Sequence, residues 1–125
     1  MSEQKGAKTY TLTAATDTTN GGVLSVANPE ESDLIITGLY LDITTEATGA
    51  ATVDAGIAAD GTTSSDNLID AGNVGAAVAV INNHDNGGTN GNGALRWNAG
   101  QFLNITASAT TVGMVGNAYV TYIRV

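Results

Sequence analysis

The sequence predicts an all-β protein: a single-domain β-sandwich, jelly-roll-like, of about eight short strands behind a flexible N-terminal arm. Three observations lead there. Apolar and polar residues alternate with a period of two in the early and final segments. Asn-Gly, Pro and Gly-rich turn signals separate the short runs. Thr, Val, Ala and Gly dominate, and aromatic residues make up only 5% of the chain, so the core is built from small and β-branched side chains.

The elements follow in order. Residues 1–8, MSEQKGAK, are polar, aperiodic and carry a glycine; they are assigned to the arm, and residues 9–125 to the sandwich domain. TYTLTA sets Tyr10 and Leu12 on one face against threonines on the other. TTNGG supplies a turn, and VLSVA a second strand. NPEES, with the lone proline Pro29, breaks the pattern because proline cannot continue a central strand. DLIITGLYLDIT is the strongest strand. Strict alternation puts Ile35, Leu39, Leu41 and Ile43 on one face and Leu34, Ile36 and Tyr40 on the other. Two apolar faces imply that both are covered, one of them by another subunit, and Leu34, Ile36 and Tyr40 are the candidate contact residues. ATVDAGIAA returns with Val53, Ala55 and Ile57 inward and Asp54 outward. DGTTSSDNLIDAGNVG is expected to be a loop holding a short helical turn capped by Asp66, with Leu68 and Ile69 packing down. AAVAVI is too short to separate a strand from a helical turn. ALRW, FLNITA and GNAYVTYIRV complete the strand set, the last alternating through Tyr119, Thr121, Ile123 and Val125.

Charge excludes several partner classes. The formal net charge is −8, and residues 9–125 carry two cations against eleven carboxylates, a net of −9. Nucleic acid is excluded because no Lys/Arg cluster exists to neutralise phosphates. An acidic exterior likewise argues against anionic membranes. The chain has no cysteine, so neither a disulfide framework nor a thiolate metal site is available. The first residues lack the apolar run of a signal peptide, which predicts synthesis in a cytoplasm.

The segment that invites chemistry is Ile81 to Ala94, INNHDNGGTNGNGA. It holds the single histidine, His84, with Asp85, Asn90 and Asn92 at the loop tip. A calcium loop needs several oxygen ligands and a distal Glu, but Asp85 is the only carboxylate here. Zinc without cysteine needs more than one histidine. A phosphate loop needs a lysine after its glycines, and none follows. The Asn-Gly pairs instead predict a hairpin or a long strand connection. The carboxylates at Glu30, Glu31 and Asp33, and at Asp66 and Asp70, sit in turns and are expected to be solvated. No catalytic residue, metal site or cofactor is therefore predicted. Asn104 to Thr106 fits a glycosylation sequon by chance. Trp97, the lone tryptophan, is assigned to the core or to a subunit interface, with an exposed sugar platform as the other option.

Residues 65–106, followed by GMVGNAYVTYIRV, resemble a group of small proteins encoded near major capsid genes in tailed bacteriophages. The matching positions are Asp66 to Asp70, Gly72 to Gly75, Gly88 to Gly91 and Val115 to Ile123. Ala71 departs from the group's glycine, and Gly87 stands where a basic residue often sits. The resemblance implies a head decoration, or cement, protein. Such a protein would be a β-sandwich on the exterior of the virion capsid, often trimeric, with an arm reaching onto coat subunits. The arm, Ser2, Glu3, Gln4, Lys5, Gly6, Ala7 and Lys8, is then the expected contact with the major capsid protein. The expected assembly is a homotrimer. Two alternatives stand beside this: a receptor- or carbohydrate-binding module of a head or tail fibre, reading with Trp97, Tyr40 and the Asn-rich loop, and a tail or neck component.

Overall fold

The computed structural model describes residues 4–125. Nine strands are formed among them: β1 (Lys5–Thr11), β2 (Leu24–Ala27), β3 (Leu34–Thr45), β4 (Thr52–Ala58), β5 (Ile69–Asn73), β6 (Ala79–Asn82), β7 (Leu95–Trp97), β8 (Phe102–Ala107) and β9 (Val115–Arg124). All pairings are antiparallel. One sheet runs β1-β9-β3, with β6 and β7 laid end to end along the far side of β3; the other runs β2-β8-β4-β5. Counting β6 and β7 as one interrupted strand, this is the strand order of a jelly roll, in which consecutive strands mostly cross between sheets. The fold is an all-β sandwich, as the alternation and turn spacing predict. Asn20-Gly21 turns the chain at a sheet-to-sheet crossing rather than in a hairpin, because β1 pairs with β9 and β2 with β8.

The core lies between the sheets. Val53, Ala55 and Ile57 from β4 meet Leu103, Ile105 and Ala107 from β8 on one side, and Ala118, Val120 and Tyr122 from β9 on the other. Trp97 is 0% exposed and donates its indole N–H to the Gln101 carbonyl at 3.0 Å, so its polar atom is satisfied inside the sandwich.

β3 departs from strict alternation. Ile36 pairs with Tyr122 and Gly38 with Thr121, leaving Thr37 as an extra residue in a bulge. One inserted residue shifts the phase of everything beyond it. Leu34 and Ile36 before the bulge, and Leu39, Leu41 and Ile43 after it, therefore all face one core, each at most 1% exposed. The expectation of two apolar faces on this strand is thus corrected. Leu34, Ile36 and Trp97 are interior residues of a single chain, not a subunit surface; of the expected interface residues, Tyr40 alone reaches the outside, half-buried, with its ring folded over Gly38.

Two further boundaries differ from expectation. β1 starts at Lys5 rather than Thr9 and pairs with β9 from Lys5↔Ile123 to Thr11↔Asn117, so Lys5 to Lys8 are strand and not arm. Gly6 hides this from a pattern reading: it is required because the Tyr122 ring occupies the space of a Cβ, 2.5 Å from where one would sit. Ser2 and Glu3 lie outside the described residues, and Gln4 accepts the Arg124 backbone N–H. The segment Asp60 to Leu68 forms no helical turn. Leu68 and Ile69 do pack down, both 0% exposed, but Ile69 opens β5, and Asp66 accepts from Asn90 instead of capping a helix.

Candidate functional site

Three features bear on function: the Asn/Gly-rich loop, the β1 edge, and the outer face of the β1-β9-β3 sheet.

The loop between β6 and β7 spans the gap those two strands leave along β3. Asn83 bridges it. Its side-chain oxygen accepts the Leu39 N–H at 2.9 Å, and its own N–H donates to the Leu39 carbonyl at 3.3 Å. Its side-chain amide then holds the Asn92 carbonyl at 2.8 Å. His84 Nε2 lies 3.1 Å from the Thr37 carbonyl, so it must carry the proton, because the carbonyl can only accept. Side chains of the loop thus supply the ladder bonds that β3 would otherwise lack at its bulge, which satisfies backbone groups that could not be left bare. The tip residues reach neighbours within the chain. Asp85 accepts from Asn82, Asn90 donates to Asp66, and Asn92 donates twice to the Asn67 carbonyl, once from its backbone and once from its side chain.

The family-like motifs converge on this same place. A Cβ on Gly88 would lie 2.8 Å from the Asp70 carboxylate, and one on Gly91 would clash with Gly87 and the Leu68 carbonyl. The Asp66–Asp70 and Gly88–Gly91 segments therefore need one another for packing and turn geometry. Asn104, in the sequon, is 0% exposed, and its amide donates to the Asp60 and Thr63 carbonyls. It is closed to glycosylation while the chain is folded. It fixes the Asp60–Thr63 loop over the outer face of the second sheet, much as Asn83 fixes the glycine-rich loop over the first. No sequence motif marks either asparagine as an interior hub.

The β1 edge carries charge. Lys5 and Lys8 are both exposed on it. The other two cations have carboxylate partners: Arg96 stands 3.6 Å from Asp33, and Arg124 makes a bidentate contact with Glu30 at 3.0 and 2.8 Å. Tyr122 donates its hydroxyl to the same Glu30 carboxylate at 2.7 Å. The Arg124 and Tyr122 hydrogen bonds hold the Glu30 carboxyl at about 2, and burial together with Glu30 pushes the Tyr122 phenol up to about 12. This cluster ties the β2–β3 loop to the end of β9, and Arg124 also donates to the Lys5 carbonyl at 2.8 Å, fastening the start of β1.

The outer face of the β1-β9-β3 sheet bears a shallow groove of about 350 Å³ lined by Lys5, Gly6, Thr37, Thr121, Tyr122 and Ile123. Its two threonine hydroxyls bond each other at 3.0 Å, and no activating base stands beside them in that lining. Among the described residues, no group of three or more His, Asp or Glu side chains is placed to hold a metal ion. Comparison with protein-family models, with curated proteins and with solved structures finds no match to this chain.

Proposed function

We propose that this protein is a structural virion component that binds the exterior of a tailed-phage capsid and stabilises the mature shell by bridging coat subunits. The observation that carries the reading is the β1 edge: Lys5 and Lys8 stand exposed on a strand that has a partner on one side only, while the rest of the molecule is acidic. An open edge with two cations offers backbone and charge together to an acidic coat surface. The phage-like motifs at Asp66 to Asp70 and Gly88 to Gly91 support the same reading, since they pack against each other at the turn of the glycine-rich loop. Binding the assembled lattice and not free subunits would stabilise the shell by mass action. A homotrimer belongs to the proposal, with Tyr40 as its surface contact. The sugar-platform alternative loses its anchor, because Trp97 is enclosed in the core.

The test uses expanded coat shells from the genome that carries this gene. Wild-type chain is expected to bind in a fixed ratio of hundreds of copies per shell, less tightly as salt rises. Lys5→Glu with Lys8→Glu should lower occupancy by about tenfold or more at physiological salt, since each reversed charge turns attraction into repulsion. Unchanged occupancy in the double variant overturns the reading.

A further inference from the structure

The chain contains four Asn-Gly pairs: Asn20-Gly21, Asn86-Gly87, Asn90-Gly91 and Asn92-Gly93. Such pairs are prone to self-modification, because a following glycine presents its backbone nitrogen to the asparagine side chain without a Cβ in the way. The reaction needs that nitrogen free of hydrogen bonds and its proton removed. The four sites differ on this point and in exposure. Gly21 N donates to Thr106 Oγ1 at 3.0 Å, and Gly91 N donates to the Gly87 carbonyl at 2.7 Å. Among the described residues neither Gly87 N nor Gly93 N has an acceptor. Gly87 is buried, however, and Asn86 is half-buried with its side-chain oxygen accepting the Asn82 N–H at 3.0 Å, whereas both Asn92 and Gly93 are exposed to water.

The rest of that amide is arranged for deprotonation. The Asn92 carbonyl, which shares the peptide group with Gly93 N, accepts from Asn83 Nδ2 at 2.8 Å. A donor on that oxygen stabilises the negative charge that develops there when the nitrogen loses its proton. His84 adds a base. Its Nε2 is committed as donor to the Thr37 carbonyl, which leaves the Nδ1 lone pair free in the neutral ring. That Nδ1 faces Gly93: a Cβ built there would sit 3.5 Å from it.

We propose that Asn92 is a site of spontaneous deamidation, with His84 Nδ1, beside Gly93, taking the Gly93 amide proton through one water. Gly93 N attacks Asn92 Cγ; the Cγ–N bond forms, the Cγ–Nδ2 bond breaks, and ammonia leaves with the proton returned to it. Water then opens the cyclic imide to aspartate or isoaspartate at position 92. The product loses the side-chain donor that now meets the Asn67 and Asn90 carbonyls and places a carboxylate against them, so the loop tip is released as the protein ages.

The test is peptide mapping by mass spectrometry, with isoaspartate detection, of folded full-length protein held at mildly alkaline pH, against the same protein in concentrated urea. In the folded protein Asn92 is expected to convert at least about fivefold faster than Asn20, Asn86 or Asn90: a hydrogen bond on the following nitrogen protects Asn20 and Asn90, and the burial of Gly87 protects Asn86. In urea the four rates should converge. His84→Gln retains a donor for the Thr37 carbonyl and lacks the base, so it should slow Asn92 conversion several-fold while the fold persists by circular dichroism. Conversion of Asn20, Asn86 or Asn90 as fast as Asn92 in the folded protein overturns the site, as does an equal lead for Asn92 in urea. An unchanged rate in a folded His84→Gln variant overturns the part given to the histidine.

Discussion

The two edges of the β1-β9-β3 sheet solve the same problem in opposite ways. On the far side of β3 the edge is interrupted, and Asn83 and His84 fill the interruption with side-chain hydrogen bonds, so little backbone is left bare. On the near side β1 runs unbroken for seven residues, with no strand beyond it among the described residues. It is guarded only by exposed lysines, a device that discourages edge-to-edge pairing. The closed edge has its backbone groups taken up by specific side chains, the Asn83–Leu39 bond buried and the His84–Thr37 bond exposed; the open edge leaves its outer backbone groups available. A surface meant to meet another protein is therefore sought at β1, and the Asn/Gly-rich loop that draws the eye in the sequence belongs to the scaffold.

The contrast is broken most severely at Asn83. Asn83→Ala removes the acceptor for the Leu39 N–H, a backbone group at a residue 0% exposed. An unpaired buried donor should cost about 2–3 kcal/mol, read as a drop in the urea midpoint at unchanged slope. A loss below about 0.5 kcal/mol, the range of an ordinary surface change, would mean that the loop does not close this edge.

Gly6→Ala probes the other edge. The new Cβ would fall 2.5 Å from the Tyr122 ring and 2.9 Å from the Arg124 guanidinium, so either the ring or β1 must move. We expect a loss of about 1–2 kcal/mol, with faster amide exchange confined to β1. Faster exchange across β3 and β9 alike would show that β1 is integral to the sheet rather than laid on it.

How much of this was legible in the sequence follows from the range of each interaction. β9 reads correctly because its alternation is unbroken and its neighbours on both sides are strands. β3 misleads because a bulge leaves no mark beyond Thr37-Gly38, yet it decides whether Leu34 and Leu39 share a face. β1 is missed because its small residue answers to Tyr122, more than a hundred positions away. The loop's Asn-Gly pairs mark it as a strand connection, but INNH does not reveal which asparagine is interior. Asn83 is 3% exposed and Asn82 only partly covered, a distinction made by the gap in the β3 edge and by nothing local.

Acid titration sharpens the comparison at the fastening of β1. The Glu30 carboxyl is held at about 2, below its ordinary 4.5, by Arg124 and Tyr122. A depressed carboxyl contributes stability that is complete above the unfolded value and lost as pH falls through the folded one. The wild type should therefore lose this contribution between about 4.5 and about 2. Glu30→Gln should be less stable than wild type at neutral pH, and the gap should close across that window, read from urea midpoints in a pH series. A gap that persists at the acid end would assign the role of Glu30 to packing rather than charge.

The smallest effect on stability is expected where the functional question is sharpest. Lys5→Thr with Lys8→Thr leaves a β-competent strand and removes two exposed charges, so folding free energy should change by no more than about 0.5 kcal/mol. Association should change instead. If the lysines only guard the edge, the variant will self-associate in a concentration-dependent way, visible by light scattering, and still bind shells. If they dock onto an acidic coat, shell binding will fall and its salt dependence will flatten, because the charges that salt screens are gone. The Thr variant thus separates guarding from docking, which charge reversal cannot do, since glutamates would also guard the edge. Loss of binding with the molecule still monomeric would place the two lysines in the contact itself.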